Sequence, residues 1–237
     1  MNTRSQLVCA WCSIAFAIVF TVGLWPLANF LPPMSPALSA GEIAAIYADN
    51  TLSIRFGTLI MMFGSAFMIP FLAVIATQMR RIEGENSVLT VAQISGGSIG
   101  VVVFLVATVC WTTAAFRPDR SPELIQLMND FGWIFLLMTF GTFVVQDFAV
   151  GFTILGDKSA EPTFPRWLGF FNLWVGVLFV PGGLLTFFKT GPFSWNGLFV
   201  WWVPFLVFFS WYLVMFVMLR GAILKQEGEA AAPAHGA

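Results

Sequence analysis

The sequence predicts an all-α membrane protein: a six-transmembrane-helix bundle with short interfacial helices in the first and second outer loops. Three observations lead there. Charged residues make up 10% of the 237 and hydrophobic residues 58%, against roughly 25% charged in a typical soluble domain. Six apolar segments, about 7–31, 54–79, 89–115, 131–156, 167–188 and 197–220, reach the roughly 20 residues that a spanning helix needs. These runs are continuous rather than alternating every second residue, which separates them from barrel strands.

The first segment has a single basic residue, Arg4, before it. It is also longer than the apolar core of a secretion signal, so it reads as an uncleaved anchor. A small-residue site near Ser39 and Ala40 keeps a cleavable signal as the other reading. The first outer loop follows. There Ser39 and Glu42 have capping-box spacing, predicting a short helix through GEIAAIYADN. The second span contains Pro70, and the third carries Gly96 and Gly100 at the spacing that lets helix backbones approach closely.

In the second outer loop, Ser121-Pro122-Glu123 opens SPELIQLMND. This stretch reads as another short surface helix or as an ordinary connecting turn. In the fifth span Gly169, Asn172, Gly176 and Gly183 recur on one face, and Pro181 interrupts it. Pro70 and Pro181 each fall in the second span of their half, the spacing that an inverted repeat of spans 1–3 and 4–6 would give. Trp111, Trp133, Trp167, Trp195, Trp201 and Trp202 lie near span ends and fit interfacial belts. Trp174 and Trp211 lie deeper and call for a partner or a cavity. One membrane domain is expected over 1–224 and a disordered tail over 225–237, where the composition turns polar and small.

Basic residues set the orientation. With the N-terminus cytoplasmic, the inner set is Arg4, Arg80, Arg81, Lys158, Arg166, Arg220 and Lys225; the outer set is Arg55, Arg117, Arg120 and Lys189. Both termini are therefore expected in the cytoplasm. A net charge of −1 with no basic face excludes nucleic acid as a partner. The one histidine, His235, is in the tail, which argues against a histidine-held metal or haem, and no metal or cofactor is expected. No phosphate-binding glycine loop, HExxH or GxSxG occurs.

Asp147 is the residue most suggestive of function, because a carboxylate inside an apolar run is costly. It lies about 16 residues, or roughly 24 Å, past the outer start of the fourth span at 1.5 Å per residue. Asn172, Gln93, Ser95, Ser98, Cys9, Cys12 and Ser13 fall at a similar depth, and Gln78 slightly nearer the inner side. If their faces converge, Asp147, Asn172, Gln93, Ser98 and Gln78 line a polar pocket; if not, they lock helices together by hydrogen bonds. Cys9 and Cys12 form a CxxC, a weak redox signal that reads more readily as apolar filling, and Cys110 reads as core. Arg55, Arg117, Arg120 and Asp130, with Asp119 and Glu123, cluster at the outer ends of spans two to four. They are a rival site for an anion, or ordinary ion pairs.

The stretches SAGEIAAIYADNTLSIRFG and FPRWLGFFNLWVGVLFVPGGLLTFFKTGPFSWNG resemble a family of uncharacterised bacterial six-span membrane proteins, a domain of unknown function. That resemblance implies a bacterial inner-membrane protein and carries no catalytic residue. Three functions are weighed: binding or passage of a lipophilic small molecule, an accessory subunit of a larger membrane complex or homo-oligomer, and a membrane-embedded enzyme using Asp147.

Overall fold

A computed structural model describes residues 3–231. Its helices are α1 (Thr3–Val22), α2 (Ala40–Asp49), α3 (Thr51–Ala66), α4 (Met68–Glu83), α5 (Val88–Phe116), α6 (Pro122–Met138), α7 (Gly141–Gly156), α8 (Arg166–Phe179) and α9 (Val203–Ala231). They combine into six helical rods long and apolar enough to cross a membrane: Thr3–Leu27, Thr51–Glu83, Val88–Phe116, Pro122–Gly156, Arg166–Thr186 and Leu198–Gly228. Each span packs on the next in chain order, and the sixth returns to the first, closing a ring. Within it, α4 reaches across to α7 and α9.

Most spans are broken rods, and the breaks have local causes. Pro70 cannot donate a backbone hydrogen bond and crowds the carbonyl four residues earlier, so span 2 breaks between Ala66 and Met68. Pro181 acts likewise in span 5, where α8 gives way to a 3₁₀ stretch over Val180–Thr186. Span 6 opens with a π turn over Leu198–Trp202, just before Pro204. Span 1 ends in another over Gly23–Leu27, around Pro26. Span 4 breaks without proline. There Thr139 Oγ1 donates back to Phe135 O at 2.7 Å, a contact that bends helices, and Gly141 follows.

Glycine sets the closest helix contacts. A Cβ on Gly96 would lie 2.7 Å from Thr142 O, and one on Gly57 would lie 2.6 Å from Gly23 O. The glycine face read from span 5 also meets span 4: Gly169 abuts Leu155 and Gly176 abuts Phe148.

At the loop end, α2 carries the capping box: Glu42 N–H donates to Ser39 Oγ at 3.3 Å, and Ser39 N–H donates to Glu42 Oε2 at 2.8 Å. The second loop helix is not separate. SPELIQLMND forms the first turns of α6, with Ile125 and Asn129 buried, because α2 packs on it. Tyr47 donates to Asn129 Oδ1 at 3.1 Å, and Gln126 Nε2 donates to Leu38 O at 3.1 Å.

Two further expectations are corrected. Trp111, Trp133, Trp195 and Trp201 are buried core rather than an interfacial belt. The strand of chain after span 1 folds over them: Phe30 packs on Trp111 and Trp133 at 5.2 and 5.9 Å, and Trp195 Nε1 donates to Met34 O at 2.7 Å. Trp167 does lie exposed. The chain from 225 is not a free tail up to Ala231, since α9 continues to that residue. Lys225 pairs with Glu161 at 3.1 Å, and Gln226 is buried against Gln78. The remainder of the predicted tail, with His235, lies outside the described residues.

Candidate functional site

The polar residues expected to converge are divided among separate contacts. Asn172 is fully buried; it accepts from Trp211 Nε1 at 2.8 Å and donates to Leu168 O at 2.8 Å. Gln78 lies near the end of the bundle that bears the termini. Its Nε2 donates to Gln6 Oε1 at 2.6 Å and Gln226 Oε1 at 3.1 Å, while Arg81 donates to its Oε1 at 2.8 Å. Ser98 and Ser95 are exposed on the lipid-facing side of α5. Ser13 donates to Ala10 O within its own helix.

Asp147 and its neighbour Gln146 face different helices. A Cβ on Gly176 would lie 3.6 Å from Asp147 Cβ, whereas one on Gly97 would lie 2.6 Å from Gln146 Oε1. Asp147 thus looks towards α8 and Gln146 towards α5. Asp147 Oδ2, Gln146 Oε1 and both side-chain polar atoms of Gln93 are buried without a hydrogen-bond partner.

Cys9 and Cys12 are half-buried free thiols, and Cys12 donates to Val8 O at 3.4 Å. Cys110 is buried in the core, as its apolar setting implies.

Two of the outer arginines are engaged with backbone carbonyls. Arg55 donates to Ala115 O at 3.1 Å and Phe116 O at 2.6 Å, and Arg120 donates to Thr113 O at 3.0 Å. Both arginines therefore serve the open carbonyls at the end of α5, where cations are favoured. Asp130 accepts from Asn129 Nδ2 at 3.1 Å, and Arg117 is exposed.

A pocket does exist, at a different level. It is a half-open cleft with a cavity volume of about 80 Å³, and its lining includes Phe20, Phe104, Leu137, Phe143, Phe179, Trp201 and Phe208. Five spans contribute: the first, third, fourth, fifth and sixth. Phe104, Phe143, Phe179 and Phe208 meet in edge and stacked contacts of 5.5–6.3 Å. The breaks of spans 4, 5 and 6 border this space through Phe140, Gly182 and Val200. Gly182 allows the approach of spans 4 and 5, since a Cβ there would lie 2.8 Å from Leu137 O.

No family model, curated protein or solved structure matches the chain.

The pocket's lining carries no ionisable side chain, so it suits an uncharged apolar occupant and offers no acid or base. Reading the sequence missed it because Phe residues at helical spacing are the ordinary content of a spanning helix. The one signal was the density of aromatics beside a helix breaker, Trp201, Trp202, Pro204, Phe205, Phe208 and Phe209. Gln6 and Gln226 were missed as well. Each lies in an end turn, where a glutamine is unremarkable until the distant partner is known.

Proposed function

We propose that this is a membrane protein that binds, or passes, a lipophilic small molecule held in the aromatic pocket between spans 1, 3, 4, 5 and 6. One observation carries this reading: an apolar, half-open cleft with a cavity volume of about 80 Å³ lies at the breaks of three spans. Small-molecule sites are concave and mostly apolar, and between the helices of a bundle is a favoured place for them. Irregular backbone at membrane depth is tolerated where it is buried in protein or lines a cavity. The ligand site is thereby moved away from Asp147 and Asn172. From its resemblance to bacterial six-span proteins and its basic-residue bias, we further propose the bacterial inner membrane, with both termini cytoplasmic.

Exposed apolar side chains are spread over all six spans, as lipid contact requires. That distribution singles out no face for a partner subunit.

The test is extraction of the purified protein with organic solvent, followed by mass spectrometry. A Leu137→Trp variant, which fills the pocket, serves as the control. A lipophilic molecule near one per protein in the wild type, reduced at least severalfold in the filled variant, is expected. Equal recovery from both would overturn the reading.

A further inference from the structure

A second cleft opens between spans 2 and 3, at the end of the bundle that bears the termini. It has a cavity volume of about 640 Å³, and its lining includes Arg80, Glu85, Asn86, Val88 and Val91. The chain around it is fixed by local bonds. Gly84, at φ 72°, ends α4, and its N–H donates to Arg80 O at 3.0 Å. Ser87 Oγ donates to Gly84 O at 2.5 Å. Glu83 closes the first turn of α5, where its two carboxylate oxygens accept from the N–H groups of Leu89 and Thr90 at 3.1 and 2.8 Å.

Neighbouring charges are sent in different directions here. Arg81 turns into the bundle, donating to Gln78 Oε1 at 2.8 Å and Ala222 O at 3.4 Å, and Glu83 is taken up by α5. Arg80 and Glu85 stay exposed on the cleft. Among the described residues, neither side chain has a hydrogen bond or a salt bridge. The cleft therefore presents one cation and one carboxylate that are not paired with each other. Its remaining edge is apolar: Val88 and Val91 are 73% and 56% exposed where α5 begins the third span.

We infer that this cleft binds a glycerophospholipid with a phosphoethanolamine headgroup, its phosphate on Arg80, its ammonium on Glu85 and an acyl chain along Val88 and Val91. A guanidinium matches a phosphate through its fork of N–H donors. An ionised carboxylate only accepts, and a primary ammonium brings three donors to it. An anionic headgroup without an ammonium would set its charge against Glu85, and like charges placed together are costly. A quaternary ammonium has no N–H to give. A soluble phosphate would leave the two valines in water, whereas an acyl chain covers them. The site is separate from the aromatic cleft and does not depend on what that cleft holds.

The test offers the purified, delipidated protein an equimolar mixture of dioleoyl phosphatidylethanolamine, phosphatidylcholine and phosphatidylglycerol in detergent micelles. Native mass spectrometry reads the first lipid retained. Wild type is expected to favour phosphatidylethanolamine over each of the others by roughly threefold, the scale of an exposed ion pair. In Glu85→Gln, phosphatidylethanolamine and phosphatidylcholine are expected in equal amounts. In Arg80→Gln, retention of both is expected to fall roughly threefold. Excess soluble O-phosphoethanolamine is expected to displace nothing.

Equal retention of the three lipids by wild type would overturn the inference, as would a preference for phosphatidylglycerol, which marks a basic surface alone. A phosphatidylethanolamine preference that survives in Glu85→Gln would remove the carboxylate from the site. Unchanged retention in Arg80→Gln would do the same for the arginine. Displacement by O-phosphoethanolamine would assign the cleft to a soluble molecule and overturn the lipid as its occupant.

Discussion

Trp211 donates its indole N–H to Asn172 Oδ1 at 2.8 Å, joining α9 to α8 inside the bundle. Both residues are buried, so the bond is shielded from water. Trp211→Phe should leave Asn172 Oδ1 unanswered, and Asn172→Leu should strand the indole. Each single change is expected to destabilise by about 1–3 kcal/mol, with the double variant less damaged than the sum. Thermal unfolding of the four proteins in detergent checks this; full additivity would count against the coupling.

Asp147 predicts the opposite sign. Its Oδ2 is buried without a partner, so replacing the carboxyl by an apolar group of similar size removes a buried polar burden. Asp147→Leu is expected to keep the melting midpoint or raise it by a few degrees. Asp147→Asn should leave ligand recovery unchanged, since Asp147 is absent from the pocket lining. A folded Asn variant that loses its bound molecule would show that the carboxyl reaches the ligand.

Gln78 fastens three helices where α1, α4 and α9 meet, through Gln6, Arg81 and Gln226. Gln78→Leu should destabilise by about 2–3 kcal/mol, because it leaves other buried polar groups to find new partners. Amide exchange should rise first in the last turns of α9. Unchanged protection there would deny the knot its role.

At the other end, Ser39 holds Glu42 below the usual carboxyl range, first through its backbone N–H and then through its hydroxyl. A depressed folded value means the stabilisation is complete above the unfolded value and lost as pH falls through the folded one. Corrected amide protection in α2 should therefore drop as pH falls from about 6 to about 3, and Ser39→Ala should flatten that dependence. A pH profile identical in the two proteins would refute the assignment.

The sequence made the six spans legible because twenty apolar residues have few uses outside a bilayer. The Ser39–Glu42 cap and the glycine faces were legible too, since their chemistry is local or periodic. The site was less so. Depth along a helix axis ranks Asp147, Gln93 and Asn172 at one level, but a level has a circumference. Asp147 and Gln146 are consecutive, yet they face α8 and α5. Pairings such as Asn172 with Trp211, or Gln6 with Gln226, join residues far apart in the chain. They depend on how spans rotate against one another, which span hydropathy does not encode.

The neighbouring breaks in spans 4, 5 and 6 give the bundle an unequal stiffness. Towards the termini, uninterrupted α7 and α8 are pressed together at glycine contacts with no slack. Towards the loops, the same spans continue as short pieces joined through 3₁₀, π and bent turns. Span 5 stands between spans 4 and 6 at these joints, so the seams that flank the pocket there are those between spans 4 and 5 and between spans 5 and 6. If the proposed lipophilic guest binds there, those seams are where it would pass directly from the bilayer, without crossing water.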